Sequence, residues 1–329
     1  MKKCVKFGIC ADVHHSLTPY ADRFLKEFLD TCLAEDVDFV IQLGDFCRPD
    51  PTDSPRTKDF SDKDQFMAMY RNFPKAKHNV LGNHDIDENT KEEILSFLGS
   101  DHEAYYSFDM NGFHFVVLDC NYAKLPDGTY LPYDGGTYYA LGKGIPEEQQ
   151  PFPVVPDFEL QWLKEDLSKT PYPSIIFSHQ RLTHQISAIR NYKEVQEVLQ
   201  NAPKGVLMSI NGHEHVDVLE NFDGIWYYNF NSMSNAWVDD EFKVEDVYQD
   251  GGKIDSVYPF TKYIIPYAEP AFGIISLDKN GATVKGTKGA YVGPTPEERN
   301  VYRKGSYFEQ HFNGQLSPSV EDRYIPFDK

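Results

Sequence analysis

Five short segments of the chain carry side chains that could bind metal ions. They are Asp12–His14, Gly44–Asp45, Gly82–Asp85, Ser178–His179 and Gly212–His215. Together they offer two carboxylates, one carboxamide and four or five imidazole rings, a ligand set that suits two divalent cations sharing one carboxylate. Because paired cations activate water and can direct its attack on phosphorus, the segments predict a hydrolytic two-metal site.

The segments need a scaffold that brings them together, and the sequence around them indicates one. Each segment follows an apolar run rich in β-forming residues, and open α/β sheets place their ligands beyond the carboxyl ends of the strands. Side chains two residues apart on an extended segment point the same way. We therefore expect Asp12 and His14 to hold one ion, with His213 and His215 reaching toward the same centre.

Strand and helix patterns alternate over the first hundred residues. Apolar runs predict strands, and helical spacing of apolar residues predicts the elements between them. The predicted elements are strands at Cys4–Ala11, Val37–Leu43 and Lys75–Leu81, with helices at Asp22–Glu35, Lys63–Asn72 and Thr90–Leu98. Pro49–Asp62 reads as a loop. This order favours an α/β sheet fed by crossover connections.

The second half of the chain mixes hairpins with further strand and helix pairs. Asn111 and Gly112 predict a tight hairpin turn between Tyr105–Asp109 and Phe113–Asp119. The remaining predictions are helices at Phe158–Leu167 and Thr183–Gln200, strands at Ser174–Ser178, Val206–Ile210, Val216–Glu220 and Ile225–Asn231, and a last hairpin from Ala271 to Lys285.

These patterns suggest a simple domain organisation. We expect one domain over residues 1–290, which contains a loop insertion at about 121–156 rich in Tyr, Gly and Pro. The aromatic residues of that insertion could cover the site. Residues 291–329 are polar with scattered aromatic residues, and we expect them to wrap around the domain as a C-terminal tail.

The composition limits the partners of this chain. Its 329 residues carry 51 acidic and 32 basic side chains, giving a formal charge of −19. Such a surface repels nucleic acid and anionic membrane surfaces, so an anionic substrate would need the local positive charge of bound cations. No apolar run is long enough to span a membrane. The oligomeric state is left open by the sequence.

The cysteines and the N-terminus bear on the cellular compartment. The five cysteines all fall within the first 120 residues and show no CxxC spacing, which favours reduced thiols over a disulfide framework. No signal peptide is seen, so we expect a cytoplasmic location; an exported form whose leader is not part of this sequence is the alternative.

In their order and residue types, the five segments resemble the motifs of the calcineurin-like metallophosphoesterases. The motifs stand here as Asp12-x-His14, Gly44-Asp45, Gly82-Asn83-His84-Asp85, His179 and Gly212-His213-x-His215. The resemblance implies a four-layer αββα sandwich with two facing mixed β-sheets. It also implies a dinuclear centre of divalent or trivalent ions, with Mn, Fe and Zn as the candidates, and a hydroxide nucleophile bridging them.

The resemblance also assigns roles to individual residues. Asp12, His14 and His215 would hold one metal, Asn83, His179 and His213 the other, and Asp45 would bridge the two. His84 matches the family's catalytic histidine, which would steady the charge on phosphorus or protonate the leaving group, and Asp85 would orient it. Asp85 as a helix N-cap is the alternative for that residue.

Several neighbouring residues are candidates for the rim of the site. Arg48 and Arg181 lie just beyond metal-binding segments and could bind a phosphate oxygen. Asn231, Asn235 and Trp237 follow the last segment and could border the pocket.

The expected activity is hydrolysis of a small phosphate diester or monoester. A nucleotide pyrophosphatase is the alternative within the enzyme class, and a nuclease conflicts with the acidic charge. A non-catalytic scaffold that reuses the fold is the alternative outside that class. All seven candidate ligands and His84 are present, which argues against a scaffold.

Overall fold

Two six-stranded β-sheets form the centre of the molecule. The structure, a computed structural model, describes residues 4–46, 61–87, 89–134, 149–184, 187–312 and 314–327, together with residues 137, 141 and 145. Helices pack on the outer face of each sheet, and apolar side chains fill the space between the sheets. The predicted αββα sandwich with two facing mixed sheets is confirmed.

The first sheet combines strands from both ends of the chain. In spatial order its strands are β16 (Arg323–Pro326), β15 (Gly281–Lys285), β14 (Gly273–Asp278), β1 (Val5–Cys10), β2 (Phe39–Gln42) and β3 (Ala76–Asn79). β1, β2 and β3 run parallel, whereas β14, β15 and β16 pair antiparallel. The carboxyl ends of the three parallel strands therefore lie at one edge, as crossover connections require.

The second sheet is built in the same mixed way. Its strands are β10 (Val218–Phe222), β11 (Ile225–Asn229), β9 (Val206–Asn211), β8 (Ser174–Ser178), β5 (Phe113–Val117) and β4 (Tyr106–Met110). β5, β8, β9 and β11 are parallel neighbours. Asn111 and Gly112 connect β4 to β5 with φ of 49° and 91°, which confirms the predicted two-residue turn.

Helices cover the outer faces of the sheets, and two small ribbons extend the structure. The helices are α1 (Ala21–Ala34), α2 (Ser61–Arg71) and α3 (Lys91–Leu98) on the first sheet, α4 (Asp157–Lys169) and α5 (Tyr192–Gln200) on the second, and the short α6 (Lys253–Val257) and α7 (Tyr307–His311). The ribbons pair β6 (Tyr122–Lys124) with β7 (Tyr130–Pro132), and β12 (Asn235–Trp237) with β13 (Ile264–Pro266). Among the described residues, no helix has both the length and the apolar character needed to cross a bilayer.

Alternation along the strands explains the layers. In β1, Phe7 faces the other sheet and stacks on Phe39 with ring centroids 4.8 Å apart, while Cys10 faces the helices. Gly8 also lies on the helix side, where a Cβ atom would come within 2.2 Å of Cys32 Sγ on α1. Glycine is needed there because α1 packs directly on the strand.

The tail over 291–329 contributes to the core and to a sheet. β16 forms the edge of the first sheet by pairing with β15. Val301, Phe308 and Phe312 are buried in the core between the sheets.

One predicted element is wrong, and another lies mostly outside the described residues. The helix predicted over Thr183–Gln200 begins only at Tyr192; Ile189 N instead donates to Arg181 O, which closes a turn in the preceding segment. Of the predicted loop Pro49–Asp62, residues up to 60 are outside the described part of the chain, and α2 begins at Ser61.

Candidate metal centre

The five predicted segments follow β1, β2, β3, β8 and β9, and hydrogen bonds join them at one end of the two sheets. Asp12 N donates to Gly44 O at 3.0 Å, which ties the first two segments together. His179 Nδ1 lies 2.7 Å from Leu43 O, and His213 N donates to Asp12 Oδ2 at 2.9 Å. The segments of the second sheet therefore bind those of the first.

One group of side chains that could hold a metal ion consists of Asp12, His14 and His215. All three are buried. His14 Nε2 and His215 Nε2 are 3.2 Å apart, and His215 Nε2 lies 3.4 Å from Asp12 Oδ1. One carboxylate oxygen and two imidazole nitrogens thus converge on one point.

A second group consists of Asp45, His179 and His213. His179 Nε2 lies 3.2 Å from Asp45 Oδ2 and 3.2 Å from His213 Nδ1. The amide oxygen of Asn83 is 3.1 Å from the same His179 nitrogen, so Asn83 also belongs to this group.

Asp45 connects the two groups. Its Oδ2 atom lies 3.2 Å from His179 Nε2 and 3.9 Å from His14 Nε2. Its Oδ1 atom accepts a hydrogen bond from His84 N at 2.7 Å, which fixes the orientation of the carboxylate. The structure thus brings all seven predicted ligands together around Asp45.

The backbone at these residues differs from the extended conformation that the sequence suggested. Asp12, His14, Asp45, His213 and His215 all have positive φ, between 48° and 72°. Non-glycine residues rarely adopt this left-handed conformation, and it concentrates at functional sites. Alternating left-handed residues turn the chain sharply after each strand, and this turning, rather than strand alternation, aims both side chains of each Asp-x-His or His-x-His pair at one point.

Glycine is required where the segments pack most closely. A Cβ atom on Gly82 would lie 2.1 Å from Asp45 Oδ1 and 2.2 Å from Asp45 N. Any side chain at this position would displace the carboxylate that the two groups share.

The donor set fits metal ions because lone pairs converge without enough protons between them. His215 Nδ1 lies 2.9 Å from Asn235 O and His179 Nδ1 lies 2.7 Å from Leu43 O, so in a neutral ring each Nδ1 carries the proton. The Nε2 lone pairs then face carboxylate and amide oxygens. Asp12 Oδ1, which is buried, accepts no hydrogen bond. Such an arrangement is repulsive unless cations lie within it.

The protonation behaviour of these groups shows the same demand for positive charge. Burial lowers the pKa of His179, but the Asp45 carboxylate outweighs burial and raises this pKa to about 9. Burial and the neighbouring His179 lower the pKa of His213 to about 3. Burial would raise the pKa of Asp45, yet the surrounding histidines hold it well below its usual range. Without metal ions, one shared proton supplies the charge that the carboxylates require.

His84 lies beside the two groups, and a different carboxylate from the expected one contacts it. His84 Nδ1 is 2.7 Å from Asp87 Oδ2, and Asp87 is buried. Asp85 Oδ2 instead accepts from the amides of Asp45 and Gly82, each at 2.9 Å. The expectation that Asp85 orients His84 is corrected: Asp87 does so, while Asp85 joins the second and third segments. Asp85 is also not a helix cap, since Thr90 caps α3.

A cleft of about 200 Å³ opens above these residues. On one side it reaches His14, Asp45, His84, His213 and His215. Other described residues that line it are Ser187, Glu214, Trp237, Asp239, Tyr307, Phe308 and Phe312. Trp237 was expected at the rim, but no motif in the sequence identified the aromatic residues of α7, and the described part of the insertion, residues 121–134, contributes nothing to this lining.

Other predicted rim residues have structural partners. The Arg181 guanidinium donates to Thr183 Oγ1 and Glu220 Oε2, so it supports the protein itself. Asn231 Nδ2 donates to Ser317 O at 2.7 Å, and Asn235 contributes its carbonyl to His215. Arg48 lies outside the described residues. Asp87, which the sequence analysis missed, could have been found from its position three residues after His84.

Comparisons with solved structures support the fold. A dimetal phosphatase from Danio rerio is 18% identical with a TM-score of 0.59, and the match covers 88% of this chain and 99% of that one. GAP50, described as the anchor in the inner membrane complex of Plasmodium, is 12% identical with a TM-score of 0.48, covering 99% and 90%. A putative 5′-nucleotidase from Staphylococcus aureus is 14% identical with a TM-score of 0.46, covering 90% and 57%.

The comparison with curated proteins gives no match. A family model, by contrast, matches residues 5–217, a range that contains all five metal-binding segments. Because this match covers well over half of the chain, the chain belongs to the calcineurin-like phosphoesterase family, whose members are metal-dependent hydrolases of phosphoric esters.

Proposed function

We propose that this protein hydrolyses a small phosphate diester with the help of two metal ions. One observation carries the proposal: two groups of buried ligands share the Asp45 carboxylate at the base of a cleft that also exposes His84. Asp12, His14 and His215 would hold one ion, and Asn83, His179 and His213 the other. When bound, two such ions lower the pKa of water and neutralise charge on the phosphoryl oxygens.

The outer partners of the ligands keep each imidazole in a fixed orientation. Leu43 O holds His179, and Asn235 O holds His215, with the Nε2 atom of each ring directed at the centre. Contacts of this kind orient metal-binding histidines and raise their basicity. The protein thus contributes a prearranged set of donors.

His84 is the residue that would handle the proton of the leaving group. Asp87 binds its Nδ1 atom, which leaves Nε2 available to the cleft. In the hydrolysis, the oxygen of water bonds to phosphorus and the bond from phosphorus to the ester oxygen breaks. The imidazolium form of His84 gives its Nε2 proton to that departing oxygen, and Asp87 stabilises the charged ring.

The charge of the cleft favours a diester over a monoester. The described residues that line it include no Lys or Arg, whereas Glu214 and Asp239 are acidic. A diester carries one negative charge near neutral pH, and a monoester carries nearly two. Because the local charge beyond the candidate ligands is negative, the less charged substrate is favoured.

The size of the cleft favours a small ester over a nucleotide pyrophosphate. Its volume of about 200 Å³ is below the range of about 300–1,000 Å³ that is usual for drug-sized ligands. A substrate with two phosphates and a nucleoside would extend outside it.

The test is a comparison of matched aryl esters. Purified protein would be loaded separately with Mn²⁺, Zn²⁺ and Fe²⁺, its metal content measured, and its kcat/KM determined for bis-p-nitrophenyl phosphate, p-nitrophenyl phosphate and a nucleotide pyrophosphate. We expect the diester to be turned over fastest. A faster monoester or pyrophosphate would contradict the proposed substrate class, and no turnover at full metal occupancy would favour the scaffold.

A further inference from the structure

The part of the cleft without candidate metal ligands is aromatic and acidic. We call it the aromatic–acidic subsite. It consists of the rings of Trp237, Tyr307, Phe308 and Phe312 and the carboxylates of Glu214 and Asp239. It lies in the same cleft as His84, so a substrate whose phosphorus lies near the candidate ligands would place one of its ester groups here.

The rings are held in place by the surrounding structure. Tyr307, Phe308 and Phe312 pack against each other on α7, with the Tyr307 centroid 5.5 Å from that of Phe308 and 5.8 Å from that of Phe312. Ser306 caps this helix by accepting from Glu309 N. Trp237 belongs to the β12–β13 ribbon, opposite Ile264.

The degree of burial separates supporting rings from those a ligand can touch. Phe308 and Phe312 are each only 5% exposed and belong to the core, whereas Trp237 and Tyr307 are half-buried. The cleft therefore offers the Trp237 and Tyr307 rings, backed by the two phenylalanines.

The two carboxylates add negative charge beside these rings. Glu214 lies between two candidate ligands in sequence, is nine-tenths buried, and accepts a hydrogen bond from the Ser187 hydroxyl. Asp239 is exposed and follows Trp237 by two residues. The described lining residues include no cationic side chain to neutralise this pair.

We infer that the aromatic–acidic subsite binds an alkylammonium group carried by the substrate, which is then a small phosphodiester with a cationic ester arm. Aromatic ring faces attract cations, and cages of such rings recognise quaternary ammonium groups. A nucleobase would use the ring faces, but it would gain little from two carboxylates. This inference rests on the proposed diesterase function and specifies its substrate.

The decisive experiment compares two substrates that differ only in charge. p-Nitrophenyl phosphorylcholine carries a trimethylammonium group, and p-nitrophenyl 3,3-dimethylbutyl phosphate has the same shape with carbon in place of nitrogen. We expect the metal-loaded protein to favour the choline ester about tenfold in kcat/KM, mainly through KM, the preference expected of a partly desolvated cation–π contact. Equal kcat/KM values for the two esters would overturn the inference.

Variants locate the preference in the subsite. Trp237→Leu and Asp239→Asn should each reduce the ratio of the two kcat/KM values to about three or less. Trp237→Phe keeps a ring and should retain most of the ratio. Asp240→Asn is the matched control, because Asp240 is the exposed neighbour that binds Lys243 and does not line the cleft. A ratio that falls equally in Asp239→Asn and Asp240→Asn would reflect general surface charge and overturn the assignment.

Two natural forms of the same chemistry can then be distinguished. Glycerophosphocholine offers the cationic arm on a soluble diester, and phosphatidylcholine vesicles offer it on a lipid surface. Turnover of either supports the alkylammonium class and identifies the source. Turnover of neither, by protein that hydrolyses bis-p-nitrophenyl phosphate, would overturn it.

A binding measurement keeps this inference separate from the proposed function. Choline alone should quench part of the tryptophan fluorescence, and the Trp237→Phe variant should lose that part while 3,3-dimethylbutanol gives no comparable signal. Choline binding by protein that hydrolyses no ester would support the subsite and reject the diesterase. Ester hydrolysis without choline binding would do the reverse.

Discussion

The two sides of the cleft are built in opposite ways. The ligand side, which comprises Asp12, His14, Asp45, Asn83, His179, His213 and His215, lies in short turns that follow five strands of two sheets. The aromatic side, formed by Trp237, Tyr307, Phe308 and Phe312, comes from a two-stranded ribbon and a five-residue helix late in the chain.

This difference separates what the two sides require of the chain. On the ligand side, left-handed residues and a glycine against Asp45 leave few residue types that fit. On the aromatic side, packing asks only for large apolar rings. We therefore expect substitutions on the ligand side to remove the chemistry, and substitutions on the aromatic side to change which ester is used.

The largest effect is expected from Asp45→Asn, which breaks the ligand side alone. The change removes the negative charge that lies near both His14 and His179. We expect both metals to be lost and kcat to fall at least about 10²–10³-fold, as measured by elemental analysis and ester hydrolysis.

The aromatic side provides the control for that variant. Choline quenching of Trp237 fluorescence, compared with metal-free wild-type protein, should persist in Asp45→Asn, because the subsite rings belong to other elements. Full metal occupancy in this variant would contradict the shared role of Asp45.

His84→Ala should separate metal binding from proton transfer within the ligand side. His84 is not one of the seven candidate ligands, so we expect its metal content to equal that of the wild type while kcat falls about 10²–10⁴-fold. The loss should be most severe for alkyl esters, whose leaving groups need a proton. Unchanged hydrolysis of an alkyl phosphate ester would show that His84 is not the acid.

A comparison of Asp87→Asn with Asp85→Asn tests the corrected partner of His84. Asp87 contacts His84 Nδ1, whereas Asp85 binds the backbone of Asp45 and Gly82. We expect Asp87→Asn to lower kcat about 10–100-fold at unchanged metal content, and Asp85→Asn to weaken metal binding. Metal loss in Asp87→Asn with unaffected Asp85→Asn would reverse these roles.

The smallest effect is expected at His114, which serves as a reference outside both sides of the cleft. Burial lowers the pKa of His114, but hydrogen bonds with Asp166 and Asp109, each at 2.7 Å, outweigh burial and raise it. A histidine whose pKa is raised in the folded state stabilises the protein fully below its unfolded pKa, and this contribution is lost as pH rises through the folded pKa.

His114→Gln should therefore destabilise the protein at pH 6 by about 1 kcal/mol or less, because Asp109 is half exposed, and the difference should vanish at higher pH. Denaturant unfolding of both proteins in EDTA measures it. Metal content and the choline preference should not change. A difference in stability that grows with pH would contradict the assigned sign.

The sequence revealed the ligand side because its chemistry depends on residue types that are uncommon at strand ends. Asp12, Asp45, Asn83, His179 and the His213–His215 pair each follow a recognisable apolar run, so they could be found one segment at a time. The αββα architecture followed from the same motifs through the family resemblance. The partner of His84 was misassigned, since the turn after β3 places Asp87 rather than Asp85 against the ring.

What the sequence determined by itself was the set of ligands, because metal binding depends on particular atoms that only a few side chains supply. What only the tertiary structure decided was which other residues share their cleft. Trp237, Tyr307 and Asp239 lie far from the first segments along the chain and belong to no motif, and apolar contacts, which have no directional chemistry, leave no local pattern to identify them. The packing of α7 and the β12–β13 ribbon next to the strand ends brings these residues to the cleft.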